Sequence, residues 1–219
     1  MPVKVISICA AKGGCTKTSI TALLAVRASQ ECRRVALFDL NGDQGDLTQW
    51  WILRGHPTNP RLVDVEKISQ DIEVLRAGKS DWLLIDTPPF DLDIIENAVL
   101  KSDCVIIPVR PSMFDINGVA PVVEMCRERR KPYSFLLSAV DAKMPKLTES
   151  AMSALVNDGP IFASRVSYRQ SYITAISRGK TGAEIDETLQ TEVDNLWVEV
   201  KRLASAPISI STARGRVAS

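Results

Sequence analysis

The feature that most limits how this chain can fold is a short glycine-bearing turn set between an apolar run and a helical one. Val-Lys-Val-Ile-Ser-Ile-Cys-Ala (3–10) reads as a strand, and Ala11-Lys12-Gly13-Gly14-Cys15-Thr16-Lys17-Thr18-Ser19 follows it at once. Beyond the turn, Ile20, Leu23, Leu24 and Arg27 recur at i, i+3, i+4 and i+7, a helical spacing with an apolar face. The helix presents unpaired N–H groups and the positive end of its dipole to the turn, which is a natural seat for phosphate. Glycines let the main chain come close to such a ligand. Lys17 can neutralise phosphate oxygens, and the Thr18 hydroxyl is placed to ligate Mg²⁺.

The same alternation continues down the chain. Strand-like runs fall at Val35–Phe38 (ending in Asp39), Trp82–Ile85, Val105–Val109, Tyr133–Val140 and Ile161–Val166. Helical repeats lie between or after them: Val65, Ile68, Ile72, Leu75; Ile94, Ile95, Ala98, Val99; and Val193, Leu196, Trp197, Val200. Strands alternating with helices predict an α/β fold, a mostly parallel twisted sheet with helices on both faces. With 219 residues, 45% of them apolar, the chain can bury about 70% of its unfolded surface. The expected organisation is one domain over residues 1–204, with a loose tail over 205–219 that is small, polar and arginine-containing.

In such sheets ligands sit beyond the carboxyl ends of the strands. Those ends carry the turn at 11–18, Asp39, Asp86-Thr87-Pro88-Pro89 and the segment from Pro108 to Ser112. A carboxylate there can hold Mg²⁺ or its waters; it can equally cap a helix or a turn. Taken together, Lys-Gly-Gly-x-x-Lys-Thr-Ser, the apolar run into Asp86-Thr87-Pro88-Pro89 and the run ending in Pro108-x-x-Pro111 resemble the deviant Walker A ATPases of the ParA/MinD class. With Arg169-x-x-Tyr172-x-x-Ala175 and Leu47-Thr48-Gln49-Trp50, the resemblance is to small ParA-type partition proteins and spans about residues 3–204. Only Met1 and Pro2 precede the first strand, in keeping with small members that lack an N-terminal DNA-binding domain.

That resemblance implies an ATP hydrolase with ATP and Mg²⁺ as cofactors. Its nucleotide would be held by residues 12–19 (Lys12, Gly13, Gly14, Cys15, Thr16, Lys17, Thr18, Ser19) and its metal by Thr18, Asp39 and Asp86. Lys12 would reach across an ATP-dependent homodimer to the partner subunit's nucleotide. The dimer would bind DNA non-specifically, and a centromere-binding ParB-like adaptor would stimulate slow hydrolysis. The setting would be cytoplasmic and nucleoid-associated, without a membrane. Candidate DNA contacts are Arg165, Arg169, Arg178, Lys180, Lys201 and Arg202, which could instead form a solvated face.

Two departures from the pattern bear on activity. The water-activating acid expected two residues after Asp39 is replaced by Asn41, or displaced by insertion to Asp43. Asn41 could orient water but could not accept its proton. Thr16 stands where a glycine usually precedes the second lysine. These motivate the alternative of a nucleotide-gated scaffold with little hydrolysis, recruiting a conjugation complex or another cargo. Composition excludes other classes. A net charge of +1 leaves no global basic field, so DNA affinity must be local. Five irregularly spaced cysteines and a single histidine argue against a disulfide framework or a zinc site.

Overall fold

The computed structural model describes residues 3–31, 33–42, 45–78 and 80–206. In chain order the elements are β1 (Lys4–Ile8), α1 (Lys17–Gln30), β2 (Val35–Asp39), α2 (Asp46–Leu53), β3 (Arg61–Leu62), α3 (Ile68–Ala77), β4 (Trp82–Asp86) and α4 (Leu92–Lys101). They continue with β5 (Cys104–Val109), α5 (Met113–Ile116), α6 (Ala120–Glu128), β6 (Tyr133–Leu137), α7 (Pro145–Leu155), α8 (Gln170–Ile176), α9 (Gly182–Ile185) and α10 (Gln190–Ser205). The six strands form one sheet in the order β3-β2-β4-β1-β5-β6, and every pairing is parallel. Among the described residues no helix is long and apolar enough to cross a membrane.

Parallel strands are buried on both faces, which is why these runs are apolar without a break. Because side chains alternate across a strand, each strand feeds two cores. Ile6 and Ile8 of β1, Leu37 of β2 and Leu84 of β4 meet Leu24 of α1 and Trp197 of α10 on one side. Val5, Phe38, Leu83 and Ile85 meet α3 and Ala98 of α4 on the other, where Val105, Ile107, Phe135 and Leu137 pack on α4, α6 and α7. Trp197 is fully buried and lies edge-on to Trp82, with 4.9 Å between ring centroids.

Strand order then sets the site. β4 lies between β2 and β1, with Asp86 in register with both Asp39 and Ile8. Two acidic strand ends and the glycine turn therefore open at one edge of the sheet.

The strand expected at Ile161–Val166 does not form. The segment pairs with β6 only at its ends, where Phe162 N–H donates to the Phe135 carbonyl and Val166 N–H to the Leu137 carbonyl, each at 2.9 Å. Between them the backbone leaves the sheet, and side chains of α10 replace the ladder. Glu199 accepts from the amides of Ala163 at 2.9 Å and Ser164 at 2.8 Å; just past the segment, Glu192 accepts from that of Ser167 at 3.1 Å. The expected Tyr133–Val140 strand likewise stops at Leu137, and the helix expected from Val65 begins at Ile68. The last helix reaches Ser205, and residues 207–219 of the expected tail lie outside the described residues. We expect Glu199→Ala to destabilise the fold by about 1–2 kcal/mol. Hydrogen exchange should quicken at the Ala163 and Ser164 amides, while the amides of β1 keep their protection.

Candidate nucleotide-binding site

The turn after β1 is held in a conformation that only part of its sequence favours. Gly14 takes φ +73°. Thr16, immediately before α1, takes φ +63° and ψ +15°, a left-handed conformation that costs a β-branched residue about 1–2 kcal/mol. The threonine thus keeps the loop's backbone path and carries the strain that a glycine would not.

Lys17 opens α1 with only 7% of its surface exposed, and its Nζ donates to the Lys12 carbonyl at 3.2 Å. Burial lowers its pKa, opposed by the nearby Asp86 charge. The next residue, Thr18, donates its hydroxyl to Asp86 Oδ2 at 2.6 Å. Asp86 is buried, and its Oδ1 has no hydrogen-bond partner among the described residues. Its carboxyl pKa is pushed up to about 7, chiefly by burial. The Thr18 hydrogen bond and Lys17 pull it down, while the charges of Asp39 and Asp46 raise it further. A hydroxyl beside a buried carboxylate with one uncommitted oxygen is a hard-oxygen donor set, and it fits Mg²⁺.

Two cavities meet at this turn. A polar one of about 390 Å³ is bounded by Gly13–Ser19, Asn41, Asp46, Thr87 and Pro89. A more apolar one of about 400 Å³ shares Gly14, Thr16 and Ser19 with it and runs on past Leu23, Tyr172 and Ile176. The groove so formed has a phosphate-binding end and an apolar end suited to a nucleoside. Tyr172 is fixed at the apolar end by donating its hydroxyl to Glu192 at 2.6 Å.

Lys12 lies outside both cavities: its Nζ donates to the Phe114 carbonyl of α5, sits 5.6 Å from that residue's ring centroid, and its stem covers Gly118. Asp39 stands beside Asp86, but both its oxygens are engaged. Oδ2 accepts from the amide and hydroxyl of Thr48 and Oδ1 from the amide of Asn41, so it caps α2 and pins the loop. Asn41 faces the polar cavity, and Asp43 lies outside the described residues. Asp46 was not singled out from sequence yet also lines that cavity; its place as the first residue of a helix entering from an acidic strand end was the available signal.

The candidate DNA contacts are scattered. Arg165 reaches Met152, and Arg169 lines the apolar cavity. Arg178 and Lys180 border a shallow cavity with Arg54, while Lys201 is paired with Glu31 at 3.0 Å, one residue before Arg202.

A glycine turn over a buried lysine, a hydroxyl–carboxylate pair and a groove with polar and apolar ends make this a phosphate-loop nucleotide-binding fold. Residues 6–182 match the family model described as CobQ/CobB/MinD/ParA nucleotide binding domain. The chain belongs to this ParA/MinD family of nucleotide-binding proteins. It is 26% identical over 177 residues to the maintenance of carboxysome distribution protein A of Halothiobacillus neapolitanus, covering 77% of this chain and 81% of that protein. Its fold is similar to a Borrelia burgdorferi B31 structure described as a plasmid partition protein bound to AMPPNP (TM-score 0.72, 18% identity, 91% and 99% of the two chains). It is also similar to septum site-determining protein MinD with Mg-ADP from Pyrococcus horikoshii OT3 (TM-score 0.69, 19% identity, 93% and 98%).

With its pKa near 7, native Asp86 keeps a proton that an unfolded aspartate gives up at about pH 4. The native state therefore binds more protons across that window and loses stability as pH rises through it. In chelator, Asp86→Asn should gain several degrees in unfolding midpoint relative to the native chain between about pH 5 and about pH 8. Parallel melting curves at both pH values would contradict this.

Proposed function

We propose that this protein is a ParA-type ATPase that positions or partitions DNA or another intracellular cargo. It binds ATP with Mg²⁺, closes into a homodimer around the nucleotides and, as a dimer, binds DNA non-specifically. A centromere-binding, ParB-like adaptor stimulates its slow hydrolysis and resets it. The observation that carries this reading is the division of labour between the two lysines. Lys17 is buried under the turn, where a phosphate would replace the Lys12 carbonyl as its partner. Lys12 lies outside its own groove on the surface of α5, available to a nucleotide held by a second copy.

Thr18 and the uncommitted oxygen of Asp86 would hold the cation, with Asp39 beside them. When bound, Mg²⁺ neutralises charge on phosphate oxygens. Residues 13–19 supply main-chain N–H groups to the phosphates. Asp43 is the acid we assign to water activation. The basic residues flanking α8 and closing α10 are assigned to DNA phosphates, for which binding should weaken steeply with salt.

The second reading, a nucleotide-gated scaffold with little turnover, is favoured by Asn41, which faces the polar cavity and cannot take a proton from water. Phosphate release measured with and without DNA and adaptor separates the two: stimulated turnover supports the ATPase cycle, and a flat baseline throughout supports the scaffold.

Each lysine–phosphate contact is a charge-assisted hydrogen bond, so Lys17→Ala should weaken ATP binding by about 10- to 100-fold in calorimetric titration. Lys12→Ala should leave single-chain binding within about threefold while abolishing the dimer seen by light scattering with a non-hydrolysable ATP analogue. A Lys12→Ala chain that still dimerises with the analogue would remove the cross-subunit role.

A further inference from the structure

At the end of β5, Arg110 turns back over the phosphate turn. Its Nε donates to Asp115 Oδ2 at 2.5 Å and its Nη2 to Asp115 Oδ1 at 3.1 Å. This two-point clamp closes on a carboxylate only 5% exposed. The Cys15 thiol donates to the same Oδ2 at 3.8 Å, so Asp115 ties the β5–α5 segment to the turn itself. The remaining nitrogen, Nη1, makes no hydrogen bond among the described residues. It lies over Gly14, 3.7 Å from where a β-carbon would stand. Arg110 also lines the apolar cavity, which meets the polar one at Gly14, Thr16 and Ser19.

We propose that Arg110, aimed by Asp115, is a nucleotide-contacting residue that donates from Nη1 to a phosphate oxygen at the nucleoside end of the bound polyphosphate. Three observations point the same way. The guanidinium's plane is fixed by two hydrogen bonds, so little rotamer freedom remains to be lost when a third partner arrives. The unused edge faces the junction of the two cavities, where the first phosphate of a nucleotide must pass. The Arg110 side chain stays 42% exposed while its partner Asp115 is buried, so the outer face of the guanidinium remains open to an incoming anion. Asp115 is the corresponding positioning residue: it touches no ligand, and its effect on affinity passes through Arg110.

This inference rests on the nucleotide-binding reading above, and one titration series distinguishes their failures. Native protein that binds neither ATP nor ADP defeats that reading. If the native protein binds both, Arg110→Ala should weaken ATP and ADP alike, by about tenfold each, because the contact is to a phosphate the two share. Asp115→Asn should give a smaller loss of the same pattern, with the nucleotide-free melting temperature as its structural control. Arg110→Ala strands a buried carboxylate, so the double variant Arg110→Gln with Asp115→Asn, which removes both charges together, serves if the single one fails to fold. Affinities within twofold of native for folded variants would overturn the proposal, as would a loss confined to ATP, which would place Arg110 at the terminal phosphate instead.

Discussion

An ammonium and a carboxylate buried within reach of each other's charge, at the carboxyl edge of a parallel sheet, are the constraint around which the rest of this molecule is arranged. Lys17 and Asp86 lie on elements far apart in the chain, and neither is comfortable in the interior: burial drives the lysine's pKa down and the aspartate's up. Each shift is moderated by the other's charge, and that of Asp86 also by the Thr18 hydroxyl. An arrangement of this kind is weak as a source of stability, since desolvation offsets much of the attraction. It makes sense as a site held ready for a polyanion and a cation, whose arrival would satisfy the lysine and the uncommitted Asp86 oxygen together.

The fold serves that arrangement. Three adjacent strands, β2, β4 and β1, bring Asp39, Asp86 and the glycine turn into one row, and the cores on either face fix their register. A one-residue slip of β4 would point Asp86 to the other side of the sheet, away from the Thr18 hydroxyl it accepts from. The residues around the row are then free to specialise. Asp39 organises the loop into α2, Asp115 organises Arg110 and Cys15, and Glu192 and Glu199 on α10 organise the segment flanking the nucleoside end of the groove. Side-chain carboxylates do repeatedly what sheet hydrogen bonds would do in a more regular protein.

Much of this was legible in the sequence, for local reasons. The turn declares itself through residue types at fixed short spacing between two periodicities, and the buried strands through unbroken apolar runs ending in Asp39 and Asp86. What was not legible depends on contacts between distant parts of the chain. Ile161–Val166 has the composition of a strand, but Glu199 claims its middle amides from α10. The two-residue strand β3 carries too little pattern to be read. Asp39 could have been metal ligand or cap on sequence grounds, and only the Thr48 and Asn41 contacts show which bonds its oxygens make. The directions taken by Lys12 and Arg110, away from and toward the groove, follow from α5, a single helical turn whose position no periodicity announces.

The most direct test is a structure determined with Mg²⁺ and a non-hydrolysable ATP analogue. The account predicts phosphates along the main-chain N–H groups of residues 13–18, Lys17 released from the Lys12 carbonyl, and a cation between the Thr18 hydroxyl and Asp86. The analogue bound elsewhere, or Lys17 still turned onto its own loop with Asp86 uncoordinated, would contradict it.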